Sequence, residues 1–234
     1  RRFKANLLFE PEEVKNQQGK PYQVFTPFWK QCLTMGQPSE PLSAPGEIPR
    51  PSKMPRGLEL EQLKLEPGID WAAGIRKAWD FTQAGAKKDL QRFLNDALDD
   101  YPEQRNFPGM EGVSRLSPRL HFGQISPRQI YHAVYQREQD QGRKKPSKAA
   151  ISFIRQLYWR EFAHHLLGHF PHTTDQPLRE KFNNFPWRYD EDQLHAWQKG
   201  LTGYPMVDAG MRQLWITGWM HNRVRMVAAS FLSK

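Results

Sequence analysis

The sequence predicts an all-α domain behind a proline-rich connector, and three observations predict it. From residue 68 onward, apolar residues recur at i, i+3 and i+4, the spacing of a helix face. Over the same stretch no period-2 alternation marks a strand, and no internal repeat is found. Between residues 37 and 67 stand Pro38, Pro41, Pro45, Pro49, Pro51, Pro55 and Pro67, a density that no helix or central strand survives.

The elements follow in order. "KANLLFEPEEV" predicts a short strand over residues 7–9, ended by a Glu-Pro turn. "YQVFTPFWKQCL" predicts an extended piece leading into a short helix that starts at Thr26-Pro27. In "AGAKKDLQRFLNDALDDY", Ala86, Leu90, Phe93, Leu94, Ala97 and Leu98 form one helical stripe. In "ISPRQIYHAVYQRE", Ser126 is the expected N-cap and Pro127 opens the first turn. "SKAAISFIRQLYWREFAHHLL" predicts a long helix turning Ile154, Leu157, Tyr158, Phe162 and Leu166 inward. "YPMVDAGMRQLWITG" and "WMHNRVRMVAASFL" predict two more, with Gly218 near their junction.

Composition narrows the function class. Hydrophobic residues make up 38% of 234, with 14 Phe, 8 Trp and 7 Tyr, which is too aromatic for a disordered chain. No run approaches the ~18 apolar residues of a membrane span. The single Cys32 excludes an internal disulfide and suits a reducing cytosol. Lys plus Arg outnumber Asp plus Glu by 34 to 25, a formal charge of +9. That balance favours an anionic partner, most commonly nucleic acid. The chain opens on "RRFKANLLFE", without an initiator Met or signal region, and closes on "MVAASFLSK", without a helix stop. A fragment is expected.

Four clusters carry candidate chemistry. In "WITGWMHNRVRM", Trp215, Trp219, Asn222 and Met226 fall at i, i+4, i+7 and i+11, on one side of a helix flanked by Arg223. Such aromatic spacing also describes a core, although a buried Asn222 amide would then need partners. In "QLYWREF", Trp159 lies between Gln156 and the pair Arg160–Glu161. This is either a core Trp beside a solvated ion pair or a stacking plate with hydrogen-bonding neighbours. "GVSRLSP" reads as an anion-gripping loop of backbone N–H groups, two hydroxyls and Arg115, or as an ordinary helix cap. In "HHLLGHFPH", His165 and His169 stand one turn apart, but H-E-x-x-H and a Cys cluster are both absent. No metal is expected, and these histidines are assigned to the helix surface or caps. No Ser-His-Asp or Cys-His arrangement is found.

"GVSRLSPRLHFGQISPRQ", "WREFAHHLLGHFP", "FNNFPWR", "GLTGYPMVDAGMRQLWITGWMHNRVRM" and "ASFLSK" occur in the order found in DNA photolyases. The sequence thus resembles the photolyase/cryptochrome family, and within it the bacterial class I enzymes that repair cyclobutane pyrimidine dimers. "GKPYQVFTPFWK" resembles the start of their interdomain linker. The resemblance implies the C-terminal tail of an α/β antenna-binding domain at 1–10 and an interdomain linker at 11–67. It implies a helical FAD- and DNA-binding domain at 68–234, truncated at its C-terminus.

The same resemblance assigns roles. FAD would be held by Tyr101, Val113, Ser114, Arg115, Leu116 and Ser117, with Arg225 on the flavin side. Asn222, Arg223 and Met226 would line the cavity between flavin and DNA. Residues 156–163 would contact the lesion, with Trp159 as the plate beside Gln156 and Arg160, while Arg105 contacts DNA. Trp187 would be the solvent-side end of the tryptophan chain that photoreduces the flavin. The implied activity is light-driven repair, with an electron passing from excited reduced FAD to the flipped-out dimer. The implied partner is UV-damaged DNA, single- or double-stranded, met by a monomer in the bacterial cytoplasm with no membrane attachment. A folate or deazaflavin antenna would sit in the missing N-terminal domain, and these 234 residues alone would bind flavin poorly.

Two residues depart from the pattern. Gln156 stands where many class I enzymes have Glu, and six-four photolyases and animal cryptochromes tend to have Gln there; Val113 replaces a usual Thr. A six-four photolyase and a cryptochrome-type photoreceptor are therefore the alternatives.

Overall fold

The structure is a computed structural model that describes residues 4–53, 56–66 and 68–233. Among these the chain forms ten α-helices, several 3-10 turns and no β-strand. The helices are α1 (Phe25–Thr34), α2 (Ala73–Ala78), α3 (Gln83–Asp96), α4 (Tyr101–Gln104) and α5 (Ser117–His121). They continue with α6 (Pro127–Asp140), α7 (Lys148–His169), α8 (Glu191–Lys199), α9 (Pro205–Thr217) and α10 (Asn222–Ser233).

The long helices begin where side chains satisfy their first N–H groups. Thr82 caps α3 by accepting from Gly85, and Ser147 caps α7 by accepting from Ala150. Ser126 accepts from the Gln129 N–H while the Gln129 side chain accepts from the Ser126 N–H, a closed capping box at α6. Each such cap contributes about 1 kcal/mol. The expected stripe is buried in full, Ala86 to Leu94 on α3 and Ala97 and Leu98 just past its end. So are Ile154, Leu157, Tyr158 and Phe162 of α7, while Leu166 is partly covered.

Two cores result. The larger joins α1, α3, α6 and α7 with Leu8 and Val14 from the N-terminal segment. Phe25, Phe28 and Cys32 of α1 belong to it, so the segment that resembles a linker gives the helical body one of its packed helices. Burial pushes the Cys32 thiol up to about 12, which leaves it unreactive. The smaller core gathers Val207, Met211, Met220, Val224 and Ala228 beneath Trp197. α9 and α10 touch closely there, since a Cβ on Gly210 would lie 2.3 Å from Val224 Cγ1. Trp79 Nε1, just after α2, donates to the Thr217 carbonyl at the end of α9 at 2.7 Å.

Three expectations are corrected. Residues 7–9 form no strand, because Leu8 and Phe9 donate their N–H groups to the Glu161 carboxylate rather than to a neighbouring strand. α1 starts at Phe25 with Val24 as N-cap, ahead of the expected Thr26-Pro27. The third concerns "WITGWMHN". Gly218 takes φ +70° and ends α9, and α10 begins only at Asn222. Trp215 and Trp219 therefore share no helix face with Asn222 and Met226: Trp215 is 70% exposed and Trp219 only 8%. Residues 37–53 are irregular as the prolines require, and Pro55 and Pro67 lie outside the described residues. No described helix is long and apolar enough to cross a membrane.

Candidate functional site

Short α4 is the pivot of the site. Pro102 near its start makes a tight helical turn, which drops Tyr101 edge-on between Phe93 and Phe153, at 5.6 and 5.4 Å. Burial raises the Tyr101 phenol pKa above its usual range, so it stays a neutral donor. The Arg105 guanidinium lies 5.1 Å over the Tyr101 ring and donates to Gln156 Oε1 at 3.2 Å. Gln156 Nε2 donates in turn to the Ser152 carbonyl at 3.0 Å, which fixes which way its amide points. From α10, Arg223 gives Nε and Nη2 to Asn106 Oδ1 at 3.0 and 2.7 Å. Met226 Sδ lies 3.7 Å from Arg223 Nη1 and 4.0 Å from Asn222 Nδ2. Tyr101, Arg105, Gln156, Asn222, Arg223 and Met226 thus share one rim.

The loop ahead of α5 brings a third guanidinium. Arg115 adopts φ +54°, a left-handed conformation costly for a residue with a Cβ. The turn lays its side chain 4.8 Å over the Trp219 ring and 2.8 Å from Glu111. Ser114 Oγ accepts from the Leu116 N–H, Val113 packs on the core, and Ser117 stands exposed at the start of α5. Beside them His221 is buried, and its Nδ1 accepts the Arg223 N–H at 3.1 Å. Burial first, then the charges of Arg223, Arg105 and Arg115, hold this imidazole below its usual pKa. It is neutral, with its proton on Nε2. Of the three arginines only Arg115 has an ion-pair partner among the described residues. A cleft of about 310 Å³ opens alongside Arg115, walled by Trp79, Lys88, Arg92 and Trp219.

An adjoining flank of α7 serves another purpose, and it corrects three expectations. Arg160 donates to the carbonyl and the side-chain oxygen of Asn6, at 2.7 and 2.6 Å. It therefore faces the N-terminal segment, because Asn6 offers two acceptors that hold the guanidinium there, and does not join Gln156. His165 is buried rather than at the surface or a cap. Its Nε2 accepts the Tyr22 N–H at 3.0 Å, and burial brings its pKa down to about 4. Glu161 is not a solvated partner of Arg160. It is buried, and burial pushes its pKa up to about 7 despite the two N–H groups it accepts. Trp159 is 46% exposed, one face stacked on Phe25 with centroids 3.6 Å apart.

Two further candidates make other contacts. Trp187 is 70% exposed and packs against Phe185 at 4.6 Å. Arg225 reaches back to the Met220 carbonyl at 3.4 Å. Sequence reasoning missed Asn106, His221 and Phe25. Asn106 follows Arg105 in "QRNF" and His221 stands two residues before Arg223 in "MHNR", a usable signal. Phe25 had none, since its partner lies far along the chain. Among the described residues, no group of three or more His, Cys, Asp or Glu is placed to hold a metal ion.

Comparison with known proteins gives consistent matches along the chain. A family model described as the FAD binding domain of DNA photolyase matches residues 153–234, and one described as DNA photolyase matches residues 1–47. The chain is 41% identical to a deoxyribodipyrimidine photo-lyase of Agrobacterium fabrum, over 100% of this chain and 48% of that protein. It is 34% identical to cryptochrome-1 of Arabidopsis thaliana, over 100% of this chain and 35% of that protein. A solved bacterial class III photolyase from Agrobacterium tumefaciens superposes with a TM-score of 0.92 at 41% identity, covering 99% of this chain and 48% of that one. The chain spans about half the length of these photolyase relatives.

Proposed function

The chain belongs to the photolyase/cryptochrome family, and we propose that it supplies the helical FAD- and DNA-facing part of an enzyme that repairs cyclobutane pyrimidine dimers in light. One arrangement carries the reading. Arg105, Arg115 and Arg223 converge on neutral His221, and Gln156, tied to Arg105, lies one turn from the half-open Trp159. Converging cations favour phosphates, and an open indole face favours a base.

The residues present fit a flavin dinucleotide. The left-handed turn at Arg115 gathers backbone N–H groups, the Ser114 hydroxyl and a guanidinium, and the buried Nε of Arg115 and Nε2 of His221 have no partner. In this reading Tyr101 and Val113, Ser114, Arg115, Leu116 and Ser117 hold the cofactor, with Asn222 and Arg225 beside them. When bound, the flavin supplies the light-driven electron chemistry. The chain's own work is positional. Trp159 receives the extruded dimer, returning ~1–3 kcal/mol per stacked base against the few kcal/mol of unstacking. Gln156 keeps one amide N–H free to donate to a base, since its oxygen is committed to Arg105 and its other N–H to Ser152. Arg105 and Arg223 meet phosphates, and Met226 shields the apolar side from water. Arg160 is left out of the DNA contacts because Asn6 holds it.

We extend the reading to the rest of the protein. Residues 1–10 are the tail of an α/β domain that carries a folate or deazaflavin antenna, and 11–67 link it to the helical domain. The exposure of Trp187 suits the solvent-side end of an electron path to the flavin. Within the family, the class III relative, at 41% identity, supports that class over class I. A photoreceptor without repair is the second reading, favoured by the match of this whole chain to 35% of a plant cryptochrome.

The test uses the full-length protein with its flavin reduced and an oligonucleotide bearing one thymine cyclobutane dimer. Dimer loss under blue light and none in darkness is the expected result. A flavin-loaded protein that leaves this dimer intact would overturn the assignment, and repair of a six-four lesion instead would redirect it.

A further inference from the structure

We propose that Phe25 is a positioning residue that sets the plane of Trp159, and with it the orientation in which a flat base is received. The inference rests on Trp159 being the stacking plate.

The two rings lie almost parallel, 8° apart, with centroids separated by 3.6 Å. Aromatic pairs left to themselves prefer offset or edge-on arrangements, so a face-on stack this close is imposed by its surroundings. Those surroundings are visible. Phe25 is 4% exposed, with Phe162 edge-on at 5.8 Å and the Arg155 guanidinium 5.4 Å from its ring. Phe162 also meets the edge of the Trp159 indole, at 6.1 Å and 76°. One face of the indole is therefore covered and one edge is braced, which leaves the opposite face for a ligand. An unsupported indole would have to give up rotamer freedom on receiving a base. A plate already held avoids that loss, worth about three- to tenfold in affinity. Trp29 on the next turn of α1 lies 13° from parallel to Phe25 at 6.5 Å, so the support continues inward through packed rings. The supporting residue comes from α1, in the segment that resembles an interdomain linker, and not from the helix that carries the plate.

The experiment compares Phe25→Leu, Phe25→Tyr, Trp159→Ala and the Phe25→Leu/Trp159→Ala double variant in the full-length protein. Binding is measured in darkness to a dimer-bearing oligonucleotide and to its undamaged counterpart. F25L is expected to weaken dimer binding about three- to tenfold with undamaged binding unchanged, F25Y to match the wild type, and F25L to add nothing once Trp159 is gone. An unchanged damaged-to-undamaged ratio in F25L, beside a lowered ratio in W159A, overturns the role of Phe25 and spares the plate. The same loss from F25L in the W159A background also overturns it, because the effect would then be structural. A ratio untouched by W159A overturns the plate reading, and this proposal with it. If F25L does not fold, Phe25→Met keeps the apolar volume without the flat face and supplies the comparison.

Discussion

Arg223 and Asn106 separate charge from aim. Arg223 gives Nε and Nη2 to the single oxygen Asn106 Oδ1, so Asn106 decides where the guanidinium points while contributing no charge itself. A phosphate contact depends on both, but salt dependence reports only the charge, through the counterions displaced. Asn106→Ala should therefore weaken binding to duplex DNA a few-fold while leaving the slope of log affinity against log salt unchanged. Arg223→Gln should lower that slope by about 0.9. Binding titrations across a salt series check both, and an unchanged slope in R223Q would mean that Arg223 meets no phosphate. Gln156 follows the same logic, since its amide is oriented by Arg105 and Ser152 before any ligand arrives.

At the scale of elements, two glycines decide how α9 and α10 present Arg223. Gly218 turns the chain at φ +70°, and a side chain there is strained by about 1–2 kcal/mol. Gly210 lets α10 approach, because an added Cβ would stand 2.3 Å from Val224 Cγ1 in a small core with little room to yield. Gly210→Ala should destabilise by about 1–3 kcal/mol. Adding Val224→Ala should recover part of the loss despite removing buried methyl groups. Thermal unfolding of the single and double variants reads this, and no recovery would place the strain elsewhere. Gly218 also marks the limit of legibility. α3, α6 and α7 could be read because caps and long apolar stripes agree there, at Thr82, Ser126 and Ser147. Short α2, α4 and α8 bury too little of a stripe to announce themselves. The stripe drawn through Trp215 and Trp219 ran across Gly218, whose left-handed turn cancels the helical period. For the site, motif arginines and Gln156 were legible as residue types. The engagement of Arg160 by Asn6 was not, because no local spacing encodes a contact between residues 154 apart.

The whole molecule is tied together along one flank of α7, where the N-terminal segment is fastened in sequence. Arg160 holds Asn6, Glu161 holds Leu8 and Phe9, His169 meets the Pro11 carbonyl, and His165 holds Tyr22. Two of these fastenings titrate in opposite senses. Burial lifts Glu161 from 4.5 to about 7, so the folded state keeps its proton after the unfolded chain has released it. Its contribution is present below pH 4.5 and is lost as pH rises to about 7. Burial brings His165 from 6.5 down to about 4, so its contribution is present above pH 6.5 and is lost as pH falls to about 4. The two slopes nearly cancel where they overlap, and the wild-type stability curve should be shallow there. Glu161→Gln keeps an oxygen to accept from Leu8 and Phe9 but no longer titrates. Its stability relative to wild type should rise between pH 4.5 and 7 by up to about 3 kcal/mol. His165→Asn should unmask the opposite trend, stability falling as pH rises through the same range. Chemical denaturation from pH 4.5 to 8 measures both differences. A constant gap between E161Q and wild type would mean that Glu161 titrates as an ordinary carboxylate and holds the N-terminal segment as an anion. A gap that opens with pH would mean that a neutral carboxyl fastens that segment to the helix bearing Gln156 and Trp159.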